Sequence, residues 1–173
     1  RSEVPRLVDN DGYFNVCFLG ILKTYLLSSR KERIALLDEV EREWDAQIKK
    51  VVDEVKPRPV AALDGHIHIH MLPFLFTIAA RLAKKYCIPE IRIVAEPYHI
   101  SNNFSECMSK GFLKNIIKHM VLSACVPFDI GIAKQFAVAH PDAMLGILYS
   151  GIMSEANVVS GLIAAKKKRA KRV

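Results

Sequence analysis

The sequence predicts an α/β fold built from parallel βα units, on three observations. Leu37, Val40, Trp44, Ile48, Val51 and Val55 recur at steps of three and four, marking an amphipathic helix over 34–55. Pro57 and Pro59 stop that helix, and the short apolar run at 60–63 follows at once, suited to a buried strand. A second helical pattern over 72–86 then leads through "IPEIRIVAEP" to another strand at 91–95. Helix, strand, helix, strand with short links is the signature of parallel βα units.

The chain opens on "RSEVPRLVDNDGYF", an irregular loop with Pro5 and an Asp-Asn-Asp-Gly cluster. Asp9 and Asp11 there read as turn residues rather than as working carboxylates. Residues 16–27 are mostly apolar and read as helix. Pro73 stands where a first helical turn tolerates it, at the start of the 72–86 pattern. Residues 111–165 are mainly helical in pattern, with breaks expected at Pro127, at Pro141 and around 146–151.

With 173 residues, 51% hydrophobic and 25% charged, the composition is that of a globular domain with a sizeable core. The longest apolar runs, 71–80 among them, are about ten residues, short of a bilayer span, so no membrane partner is expected. Cys17, Cys87, Cys107 and Cys125 are far apart and form no C-x-x-C pair, which suits free thiols and a cytoplasmic location. Six of the seven net positive charges lie in the tail, on Lys166, Lys167, Lys168, Arg169, Lys171 and Arg172, so the body is close to neutral. No aromatic residue is interleaved with them for base stacking, which argues against nucleic acid and for a solvated, disordered end at 166–173.

The chemistry-bearing stretch is "AALDGHIHIHMLP", which sets Asp64, His66, His68 and His70 on alternate positions at the end of the first expected strand. In α/β folds functional groups gather at such ends. On an extended backbone the three histidines would share one face. Two histidines one residue apart can reach one Zn²⁺ or similar cation, with Asp64 orienting an imidazole. Hydrogen-bonded structural histidines fit the same letters, and the residues alone leave both readings open. Glu96, Tyr98 and His99 follow the next strand end and suit either a pocket lining or a structural role. His119 and Trp44 read as packing residues.

"LDGHIHIHMLP", preceded by "EVEREWDAQIKKVVDEVKPRP" and followed by "IPEIRIVAEP", resembles the YdjC-like carbohydrate deacetylase family. The helix segment Glu-x-x-x-Gln falls at Glu43 to Gln47, the motif Asp-x-His-x-His-x-His-x-x-Pro at 64–73, and the Ile-Arg segment at Ile91-Arg92. "LVDNDGYF" and "GILYSGIMSE" extend the likeness over most of residues 7–160. The resemblance implies a TIM-like (β/α) barrel, here partial, that binds one divalent cation, Mg or Zn. It implies removal of acetyl groups from N-acetylated sugars, chitooligosaccharides being the best-known class. It implies His66 as a metal ligand with Asp64 in support, His68 and His70 as further candidates, and Arg92 meeting substrate or a carboxylate.

Such an enzyme hydrolyses an amide: the cation acidifies a bound water, a carboxylate takes its proton, and an acid protonates the leaving amine. The family's Asp-Asp-Phe-Gly strand end and its Gly-x-His segment are not found here, so the catalytic base is unknown. His140-Pro141 precedes "GILYSG", whereas the family's His-Pro-Gly turn follows it, and the role is not carried over. The expectation is therefore a central part of one barrel domain over 1–165, followed by the tail, with weak metal binding and little turnover on its own. A homo-oligomer is left open. The rival readings are another metal-dependent amidohydrolase and a non-catalytic truncated protein whose tail binds anions.

Overall fold

The structure is a computed structural model that describes residues 4–14, 17–100 and 110–173. Among the described residues five α-helices order it, α1 (Phe18–Leu27), α2 (Arg30–Val55), α3 (Pro73–Lys85), α4 (Lys110–Phe136) and α5 (Glu155–Lys167), with a short 3-10 helix over His66–Met71. The start of α2 is set by chemistry local to the chain. Ser29 accepts from the Glu32 backbone N–H while the Glu32 carboxylate takes the Ser29 N–H, a reciprocal cap that satisfies two end donors. α3 begins with Pro73 at its first position, as expected, and ends one residue before Tyr86.

α3 is the central element because two of its faces are apolar. Leu75, Ile78 and Leu82 pack with Ile21 of α1 and with Leu36 and Val40 of α2. Phe76, Ala79, Ala80 and Ala83 turn the other way, onto Leu122 and Ala133 of α4 and onto Ile91, Ile93 and Val94. Small side chains at three of those positions let α3 and α4 approach closely. Arg81–Glu41 at 2.8 Å and Lys85–Asp45 at 2.6 Å tie α3 to α2 at the surface.

The expectation of an α/β, TIM-like barrel is overturned: no strand is present among the described residues, and the fold is helical. The runs at 60–63 and 91–95 do lie parallel, but they meet in a single bridge, Leu63 with Ile91. A second bridge, Glu90 with Ala139, brings a third segment alongside. Each contact is one residue deep. Pro89, Pro97 and Pro141 remove ladder donors, and the chain leaves extension at Asp64-Gly65 for the 3-10 helix.

Three further expectations change. α4 runs through Pro127 without ending there, at the cost of the backbone bond that Pro cannot donate. Its stretch Phe112–Phe136 is long and apolar enough to cross a membrane by length and composition, although Lys114, Lys118, Asp129 and Lys134 break it into short apolar runs. The tail beyond α5 is held rather than loose. The Lys171 and Arg172 N–H groups donate to Asp142 Oδ2 at 2.8 and 3.0 Å. The Arg172 carbonyl accepts from Asp142 and Ala143, and its guanidinium pairs with Glu90.

Candidate functional site

A cleft of about 310 Å³ opens between α2 and the segment 63–70. Helical spacing puts Val40, Glu43, Trp44, Gln47 and Ile48 of α2 on its one wall. Leu63, Asp64, Gly65, His66, Ile69 and His70 form the other. The N-terminal loop closes the end with Leu7 and Phe14. That loop is fixed in two ways. The buried Glu39 carboxylate takes the Arg6 backbone N–H at 2.7 Å and pairs with its guanidinium. Asp9 Oδ1 accepts from the Asp11 and Tyr13 N–H groups at 3.0 and 2.9 Å, so this carboxylate folds the turn, as its sequence suggests.

The three histidines do not share a face. Ile67 and His68 sit in the left-handed region, with φ of 49° and 61°, which breaks the alternation that an extended backbone would impose. His66 is exposed on the cleft rim. His70 is buried and both ring nitrogens are used: Nδ1 accepts from the Gly65 N–H at 3.1 Å, and Nε2–H donates to the Arg92 carbonyl at 2.8 Å. This ring pins the 3-10 helix to the segment at 92. Gly65 is small for this reason, since a Cβ there would stand 2.5 Å from His70 Nδ1. His68 is half-buried, outside the cleft lining, with Nδ1 shielded and unpartnered. Burial pushes its pKa down to about 4, with the nearby Lys118 charge adding to the shift. Burial also lowers the pKa of His70.

Arg92 meets a carboxylate of the chain itself: its Nη1 lies 2.6 Å from Asp64 Oδ2. A divalent cation would need three or more donors, and among the described residues no three His, Cys, Asp or Glu side chains gather to hold one. With His70 committed on both nitrogens and Asp64 paired, these residues do not fit a complete metal centre.

Glu96 is structural. Its buried carboxylate accepts the N–H groups of Gly146, Ile147 and Leu148 at 2.7, 3.0 and 2.9 Å, clasping the start of "GILYSG". His119 donates to the Glu96 carbonyl at 2.9 Å, and His99 to the Pro97 carbonyl at 2.9 Å, so neither lines a pocket with a free ring. Tyr98 is exposed and edges onto His119.

Glu43 and Gln47 add a polar pair to the cleft wall. One turn apart on α2, they face the cleft, and Gln47 Nε2 donates to Glu43 Oε1 at 2.7 Å. Their spacing of four was the signal available in the sequence; that α2 turns this face toward Asp64 and His66 was not.

Comparison with known proteins bears on this arrangement. Residues 1–171 match the YdjC-like protein family. Over 118 residues the chain is 30% identical to a carbohydrate deacetylase of Halalkalibacterium halodurans, covering 68% of this chain and 46% of that protein. Over 82 residues it is 33% identical to chitooligosaccharide deacetylases of Salmonella paratyphi B and Salmonella newport, covering 47% of this chain and 29% of each of those proteins. The matched regions thus span less than half the length of these curated relatives. No solved structure matches the chain. The match across nearly all of its residues, with the Asp64–His70 motif on the wall of a cleft, means that the chain belongs to the YdjC-like protein family.

Proposed function

We propose that this chain contributes to a carbohydrate deacetylase, a hydrolase that removes acetyl groups from N-acetylated sugars such as chitooligosaccharides. One observation carries the reading: within a family whose named relatives are deacetylases, the motif residues Asp64 and His66 border a sugar-sized cleft beside the carboxylate of Glu43. Amide hydrolysis needs a group to take a proton from water and a donor to protonate the leaving amine. Glu43 is a carboxylate in reach of the cleft space, and Arg92 holds the Asp64 carboxylate in one orientation. Mg or Zn is the proposed cation, and His66, exposed on the cleft rim, is the donor proposed for it. No step is routed through that cation, because its other donors are not assembled by the described residues.

The test is acetate release from N,N′-diacetylchitobiose by the purified chain, with Mg or Zn supplied and with His66→Ala in parallel. Release by the parent chain, abolished by the substitution, supports the reading. No acetate with either cation overturns it for this chain.

A further inference from the structure

We infer that the cleft captures the N-acetylated ring of a carbohydrate by itself, through the Glu43–Gln47 pair and the ring of Phe14, without a cation. The inference rests on the sugar reading above but assigns recognition to α2 rather than to the histidine motif. An acetamido group presents an N–H donor beside a carbonyl acceptor. A side-chain amide is its complement, carrying one acceptor oxygen and two N–H donors. The 2.7 Å bond to Glu43 uses one Gln47 N–H and thereby orients the amide, leaving Oε1 and the second N–H for a ligand. Glu43 keeps its Oε2 for a sugar hydroxyl, and a charged acceptor makes that bond stronger than a neutral one.

The rest of the lining suits the same guest. Phe14 is 57% exposed at the mouth, so its ring can take the C–H face of a pyranose, while Trp44 packs against the core behind it and backs the wall. Ile48 and Ile69 form apolar wall where an acetyl methyl can be buried. The volume of about 310 Å³ lies at the small end of ligand sites, room for one ring with its acetamido arm rather than for a long chain. The Asp64 carboxylate on the opposite wall is engaged by Arg92, and the grip on α2 uses neither of them.

The experiment is calorimetric titration of the full chain with N,N′-diacetylchitobiose in EDTA, with the deacetylated glucosamine disaccharide as control. The expected result is binding of the acetylated sugar in EDTA, weakened about tenfold or more in Gln47→Leu, a loss of order one hydrogen bond. Lys50→Ala, on the exposed side of α2, should bind as the parent does. Circular dichroism of Gln47→Leu, at an exposed helix position, checks that it is folded. Binding that appears only after Mg or Zn is added overturns the inference and leaves the deacetylase reading standing. Equal binding of both disaccharides, or full binding by folded Gln47→Leu, overturns the inference alone. No binding in EDTA or with cation, together with no acetate release, overturns both.

Discussion

His70 shows how a residue that looks like a ligand acts as a fastener. Its two nitrogens span the Gly65 N–H and the Arg92 carbonyl, groups that lack another partner once the ring is gone. We predict that His70→Phe keeps a planar ring and loses both bonds, costing about 2–4 kcal/mol for two stranded buried groups, read as a lower denaturant midpoint. Gly65→Ala should fail for a different cause. Gly65 has an ordinary φ of −106°, so the backbone tolerates a side chain, but the added methyl collides with His70 Nδ1. A stability loss from Gly65→Ala in the parent that vanishes when the same change is made in a His70→Ala background is the expected coupling. Of the four motif residues, the spacing and the place after the apolar run at 60–63 were legible in the sequence. Their division of labour was not, because a left-handed turn at Ile67 and His68 cannot be read from an alternating pattern.

At the scale of elements, the helices were legible where local signals agreed. The α2 stripe, its proline stop and the Pro73 start of α3 all held, since caps and 3.6-residue periodicity act within a few residues. Ser29→Ala should cost about 1 kcal/mol in thermal or chemical unfolding, the usual value of an N-cap. The surface pairs Arg81–Glu41 and Lys85–Asp45 should matter less, under about 1 kcal/mol each, and less still in high salt. The clasp at Glu96 is a different kind of contact, one buried carboxylate on three backbone donors from 50 residues away in sequence. In Glu96→Gln one acceptor oxygen becomes an NH₂ facing N–H groups, so amide exchange at 146–148 should speed up while exchange in α2 stays unchanged. Nothing near Glu96 in the chain foretold that partner.

For the whole molecule, pH dependence reports how groups far apart are buried together. Asp129 stands on the core side of α4 with neither oxygen hydrogen-bonded, and burial pushes its pKa up to about 8. The folded state therefore holds a proton that the unfolded chain releases near pH 4, and stability falls as pH rises through that window toward 8. The buried histidines slope the other way. His68, lowered to about 4, and His70, also lowered, refuse protons that the unfolded chain takes up below pH 6.5. Between pH 6.5 and 8 Asp129 acts without them, so unfolding free energy should drop by up to about 1.4 kcal/mol per pH unit in the parent. Asp129→Asn should flatten that interval, measured by urea unfolding at a series of pH values; an unchanged slope would assign it to another group.

The sequence by itself determined the helices α2 and α3, the turn at Asp9, the motif and the family, because each is written in residues close together or in a run of fixed spacing. Tertiary structure alone decided that the apolar runs at 60–63 and 91–95 touch at single bridges instead of forming strands. It decided that His68 turns away from the cleft while His70 is spent on backbone groups, and that Glu43 and Gln47 face the motif. The physical reason is common to all of these: burial and hydrogen-bond partners come from residues distant in the chain, and a local pattern records which side chains can bond without recording which groups will meet them.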